Sequence, residues 1–232
     1  MPDSWILFDL DGTVLEYDAA SHRCLAATFA WLGMEADAWL HEAFQRINAD
    51  HWERYERGEQ SHHELRLRRW REFLAEHDHD ADPVMASEHY LALLAQTGDL
   101  VDGAVEVLAA LARDHRLGAI TNGFGDVQRP RLAASGLDRF FEFVVVSEEA
   151  GASKPDPLIF DAAFAAMGHP PMAAVTLVGD SLAADVAGGV AYGINTIWFN
   201  PTGAPLVDGL RPDRVIRRLD ELLDGALDRR PA

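Results

Sequence analysis

Asp9 and Asp11 stand two residues apart in the stretch ILFDLDGTVL, directly after an apolar run. On an extended chain, residues i and i+2 point to the same side. Two carboxylates so placed repel each other unless a cation lies between them or one holds a proton. Gly12 follows at once and allows a sharp turn and a close approach of ligand to backbone. Asp-Gly is also a common solvated turn pair, so these residues mean little alone. They gain meaning from three later sites. Thr121 and Asn122 end the stretch LGAITN, with Gly123 next. Lys154 lies in SEEAGASKPDP after FEFVVVS, and it is the only lysine in the chain. Asp180 ends AVTLVGD, with Asp185 on the following turn. Clustered carboxylate oxygens suit Mg²⁺, a hard cation that often bridges to phosphate. Asp180 and Ser181 can also cap the helix that follows, which is compatible with holding a metal. Cys–His spacing of the zinc type is absent.

These groups need elements that bring them to one place. Residues 4–8 read as a strand. Residues from about 17 to 97 read as almost wholly helical, with breaks near Gly33, Gly58 and HDHDADP that make about four helices. From 103 onward amphipathic helices alternate with apolar runs ending near 122, 147, 180 and 200. The pattern predicts a doubly wound, Rossmann-like α/β fold, a parallel sheet core with an inserted α-helical cap domain. The core takes residues 1–16 and 98–232 and the cap 17–97. Ligands bind such sheets at the carboxyl ends of the strands, where all the named residues fall. Pro155 can start a helix there. The tail after about 226 is expected to fray.

Composition narrows the classes. The chain has 232 residues, 48% hydrophobic and 25% charged, enough to bury a sizeable core. Its formal net charge of −18 disfavours nucleic-acid polymers and anionic membranes as partners. An anionic substrate would need a local positive centre. One cysteine, Cys24, forbids an internal disulfide, and no apolar run approaches the length of a membrane span. With no basic leader pattern at the N-terminus, the expected location is cytoplasmic.

Other motifs have plainer readings. NGFGDVQ lacks the third small residue of a dinucleotide fingerprint. HDHDADP reads as a polar turn rather than a metal site. Arg66, Arg68 and Arg69 are expected to be solvated or paired with Glu64 and Glu72, with Arg69 a candidate to touch substrate. Trp31, Phe44, Trp52 and Trp70 are expected in the core of the insert.

The order Asp-x-Asp-Gly-Thr, Thr-Asn, Lys-Pro and Gly-Asp-(x)4-Asp resembles the haloacid dehalogenase superfamily of phosphotransferases. The likeness covers residues 5–16 and 103–200. Within that superfamily, ITNGF, VSEEAGASKPDPLIFDAA and VGDSLAADVAGGVAYGINTIWFN are most similar to the house-cleaning pyrimidine 5'-nucleotidases. The resemblance implies a Mg²⁺-dependent phosphomonoester hydrolase acting on a small phosphorylated metabolite, a nucleoside 5'-monophosphate first and a sugar phosphate next. It implies Asp9 as nucleophile, forming an aspartyl-phosphate, and Asp11 as general acid and then base. Thr121 and Lys154 would hold the phosphate, with Asn122 and Gly123 beside it. Asp9, Asp180 and the Asp11 carbonyl would bind Mg²⁺, with Asp185 as an indirect ligand. A helical cap would close over the rim, exclude water and help choose the substrate. The chemistry agrees with these roles. A carboxylate nucleophile splits one hard step into two, and a crowded acidic site can keep the second carboxyl protonated. True dehalogenases of the family generally lack the second aspartate, so Asp11 favours phosphate chemistry. A phosphomutase and a non-catalytic phospho-ligand binding protein are the remaining alternatives.

Overall fold

The central strands of the sheet are short, buried apolar runs. The computed structural model describes residues 4–224, and the expectations for the first three residues and the tail lie outside them. The strands are β1 (Trp5–Phe8), β2 (Arg116–Thr121), β3 (Val144–Val146), β4 (Val175–Gly179), β5 (Asn195–Phe199) and β6 (Arg214–Ile216). They form one parallel sheet in the order β3-β2-β1-β4-β5-β6. The chain builds outward from β1 on one side, then restarts with β4 on the other. The order therefore reverses between β1 and β4, the place where such sheets open a crevice. All four residues of β1 are buried, as expected for a central strand covered on both faces.

Contacts divide the chain into two compact units. One holds residues 17–97 and 126–134. Its first four helices are α1 (Asp18–Trp31), α2 (Ala38–Glu56), α3 (His62–Glu76) and α4 (Pro83–Leu94). The breaks fall where the glycines and HDHDADP place them. Ser61 and Glu64 close a reciprocal capping box on α3, and Asp82 caps α4 just before Pro83. Phe29, Phe44, Trp70 and Phe73 interlock in the interior, with Phe44 and Trp70 ring centres 4.5 Å apart. Burying rings of this size contributes roughly 1.5–3 kcal/mol each.

The other unit carries the sheet. Its helices follow as α5 (Ala104–Leu111), α6 (Gly125–Ser135, whose middle belongs to the helical unit), α7 (Ser147–Ala150), α8 (Pro157–Met167) and α9 (Gly188–Tyr192). Trp5 and Leu7 of β1 and Val175 and Leu177 of β4 share a core with Ile159, Phe160 and Phe164 of α8. Three details differ from the sequence reading. β3 is only three residues long, because Ser147 already opens α7. β6 is an edge strand whose Val215 is exposed, so no apolar run marks it. The helix after Lys154 starts at Pro157, capped by Asp156, not at Pro155.

Candidate active site

The register fixes where the polar residues lie. Phe8 pairs with Ala119 on one side and Val178 on the other. Asp9 is one residue beyond Phe8, Thr121 two beyond Ala119, and Asp180 two beyond Val178. All three therefore sit at the carboxyl edge, with Asp9 and Asp180 on the two strands that flank the switch point. After Asp9 the chain turns tightly. The Leu10 carbonyl accepts N–H bonds from Thr13, Val14 and Leu15, so Leu10 is buried and Asp11 stands at the half-buried rim. Gly12 adopts φ +78°, and a Cβ there would lie 2.5 Å from Asp180 Oδ2. Both facts demand glycine.

Lys154 ties the site together. Its side chain is buried, and Nζ donates to Asp9 Oδ1 and to Asp185 Oδ1, each at 2.6 Å. Asp185 in turn accepts the Ser181 N–H through Oδ2 at 3.0 Å. It sits in a π-helical turn, Leu182–Ala187, a wide form of helix that recurs at functional sites. A Cβ on Gly179 would fall on the Asp185 carboxyl, so the end of β4 must be bare for Asp185 to reach inward.

The charges are unequal. Asp9, Asp180 and Asp185 each offer an oxygen within 4.8 Å of the others, against one lysine. Loss of hydration raises Asp9 well above the usual carboxylate range; Lys154 opposes the shift, and Asp185 and Asp180 add to it. Asp180 reaches solvent, yet desolvation and then the charge of Asp185 push it up to about 7. Burial alone would lower Lys154, but the charges of Asp185 and Asp9 outweigh it and raise it. Lys154 is therefore charged at neutral pH, one cation among three clustered carboxyl groups, of which Asp9 and Asp180 are driven to hold protons. The donors are oxygen only. A second cation would let these acids ionise, and an all-oxygen donor set fits a hard divalent one such as Mg²⁺.

Neighbouring loops hold these groups in place. Thr121, at the end of β2, is buried. Asn122 bonds both backbone groups of Lys154, and Gly123 exchanges bonds with Ser147 Oγ. The indole Nε1 of Trp198 on β5 donates to the Asp180 carbonyl at 2.9 Å. Ser147 and Trp198 escape a motif reading: one opens α7 and the other lies within β5.

The motif order and this geometry agree with a family match. The family model for haloacid dehalogenase-like hydrolases matches residues 4–193. The chain belongs to this family. As a haloacid dehalogenase-like hydrolase, it is 32% identical to the pyrimidine 5'-nucleotidase YjjG of Escherichia coli over 221 residues, covering 94% of this chain and 95% of that one. It is also 32% identical to the pyrimidine 5'-nucleotidase PynA of Streptococcus pneumoniae, covering 95% and 93%. Among solved structures, the magnesium-bound HAD-hydrolase YfnB of Bacillus subtilis superposes with a TM-score of 0.89 at 31% identity, covering 95% of this chain and 97% of that one. No helix among the described residues of this haloacid dehalogenase-like hydrolase is long and apolar enough to cross a membrane.

Residues of the helical unit follow their sequence readings only in part. Arg68 pairs with Glu64, but Arg66 pairs with Asp126 at 2.6 Å, and Glu72 meets His51. Arg69 is buried and donates to Asn48 Oδ1 at 2.7 Å. Phe44 and Trp70 are core residues, whereas Trp52 is half-buried. Trp31 is 49% exposed and stacks on His89, because it is the last residue of α1 and no following turn covers it. HDHDADP is a turn in which His79 Nε2 donates to the Leu32 carbonyl. Among the described residues, no histidine of the insert joins a group shaped to hold a metal.

Proposed function

We propose that this hydrolase cleaves small phosphomonoesters, nucleoside 5'-monophosphates above all, through an aspartyl-phosphate on Asp9. The observation that carries the reading is the bond between Asp9 and the chain's only lysine, at the switch point of the sheet, with Asp11 two residues on. The relatives named as pyrimidine 5'-nucleotidases support the substrate class.

The roles follow from chemistry. Asp9 attacks phosphorus; its Oδ–P bond forms as the bond to the leaving oxygen breaks. Asp11 gives that oxygen a proton. Water then attacks the aspartyl-phosphate, Asp11 takes its proton, and the Asp9–phosphate bond breaks to release phosphate. Thr121 donates to phosphoryl oxygens, and Lys154 both orients Asp9 and offsets the phosphate charge. Asn122 and Gly123 directly follow Thr121 at the end of β2. Asp9, Asp180 and the Asp11 carbonyl would hold Mg²⁺, with Asp185 acting through water. Bound there, Mg²⁺ would reduce the repulsion between a carboxylate nucleophile and a phosphate dianion. Asp11 separates this reading from dehalogenation, which needs no proton donor at a leaving alkoxide.

The test is phosphate release with Mg²⁺ across p-nitrophenyl phosphate, nucleoside and deoxynucleoside 5'-monophosphates and sugar phosphates, with Asp9→Asn as control. Preference for pyrimidine nucleotides supports the reading. Sugar phosphates outrunning nucleotides would replace the substrate class. No release from any of them, with beryllofluoride still captured at Asp9, would favour a phosphomutase.

A further inference from the structure

The side chain of Asn122 is spent on the backbone of another loop. Its Oδ1 accepts the Lys154 N–H at 2.8 Å, and its Nδ2 donates to the Lys154 carbonyl at 2.9 Å. One amide thus pairs with one residue's backbone as a neighbouring strand would. Lys154 needs such a partner. Ala152, Ser153 and Lys154 are buried, between α7 and α8, in neither helix nor strand. Buried backbone groups must be paired somewhere. Pro155 follows and has no N–H to offer. At the other end of the same residue, Nζ reaches Asp9 and Asp185. A lysine stem is long and flexible, so its ammonium is placed only as well as its backbone is.

Asn122 itself is firmly mounted. It directly follows β2. The next residues are pinned too: the Gly123 N–H donates to Ser147 Oγ at 2.9 Å, and the Gly125 N–H to Glu148 Oε2 at 2.8 Å. A continuous chain of bonds therefore runs from the end of β2, through Asn122 and Lys154, to Asp9 after β1 and Asp185 after β4. An amide suits the link because it sets a donor and an acceptor side by side. A carboxylate would face the Lys154 carbonyl with like charge, and serine would not span both groups.

We propose that Asn122 is a positioning residue, setting Lys154 against Asp9 and Asp185 rather than touching the bound phosphate. The inference rests on the reading of Asp9 and Lys154 as the pair that handles phosphate.

The single lysine makes a direct test possible. Protein grown with ¹³C,¹⁵N-lysine carries one labelled residue, Lys154. Inorganic phosphate binding, by calorimetry with Mg²⁺ present, is compared for wild type, Asn122→Ala, Lys154→Ala and the double variant. Asn122→Ala is expected to move the lysine side-chain signals and weaken phosphate binding by about 10- to 100-fold. In the Lys154→Ala background the same change should cost less than about twofold, since coupled residues are not additive. An equal loss in both backgrounds, with the lysine signals unmoved, would overturn the proposal and put Asn122 on the phosphate. If Asn122→Ala does not fold, Asn122→Asp, which keeps the shape and one of the two bonds, is read the same way. A wild type that neither binds phosphate nor releases it from any ester would sink the phosphatase reading instead. The lysine signals of the Asn122 variants would still decide whether Asn122 places Lys154.

Discussion

Gly12 and Asp180 lie on loops that follow two different strands, yet a Cβ on Gly12 would come within 2.5 Å of Asp180 Oδ2. The turn that aims Asp11 and the carboxylate at the end of β4 are therefore fitted to each other. Gly12→Ala is expected to do two things. It strains a backbone held at φ +78°, at a cost of roughly 1 kcal/mol. It also displaces the Asp180 carboxyl. Divalent-ion affinity should fall by about tenfold or more while the melting temperature drops only a few degrees. Calorimetric Mg²⁺ titration checks this, and unchanged affinity would show that Asp180 tolerates the shift.

Asp9→Asn separates catalysis from stability. Turnover should disappear, because an amide neither attacks phosphorus nor carries the phosphoryl group. Stability in EDTA should hold or rise. Asp9 is desolvated and crowded by Asp185 and Asp180, so its charge is unfavourable without a cation. The neutral variant still offers an oxygen to Lys154. A melt in EDTA and a phosphate-release assay read the two effects separately. Residual turnover near wild type would remove Asp9 as nucleophile.

The pH dependence should hinge on Asp180. Its folded pKa is about 7, raised from 3.8 first by desolvation and then by Asp185. A raised acid holds its proton in the folded state after the unfolded chain has lost it. Its contribution to stability is therefore full below about pH 4 and is lost as pH rises toward 7. In EDTA the protein should lose stability across that window, and Asp180→Asn should flatten this part of the profile. With Mg²⁺ added the loss should be reversed above pH 7, and binding should release protons below it. Melts at several pH values, with and without Mg²⁺, measure all of this. An identical profile in wild type and Asp180→Asn would refute the assignment.

Much of this was legible in the sequence because the informative signals are local. Asp9, Thr121 and Asp180 each end an apolar run, so parallel strands alone bring them to one edge. The four helices of the insert announce themselves by Gly33, Gly58 and the capping residues Ser61 and Asp82. The remainder depends on partners distant in sequence. Asn122 and Lys154 are 32 residues apart, and Ser147 and Gly123 are 24 apart. No spacing rule connects them. Arg69 looks like a surface charge, but it points inward to Asn48. β6 is three residues with an exposed centre, too short for periodicity to show.

Trp198 offers the sharpest test of how far the site depends on residues that carry no chemistry. It is buried on β5, and its indole N–H is bonded to the Asp180 carbonyl. Trp198→Phe keeps an aromatic ring in the core but deletes that donor. The lost bond should cost about 1–3 kcal/mol, because the carbonyl is left without its partner. More tellingly, Asp180 loses the contact that fixes its backbone. Mg²⁺ affinity should fall by about 10- to 100-fold, the range seen when partners behind a metal ligand are removed. At saturating Mg²⁺, kcat should recover most of its value, since Asp9, Asp11 and Lys154 are untouched. A loss of kcat that excess Mg²⁺ does not restore would mean that Trp198 shapes the site by its bulk, not through its N–H.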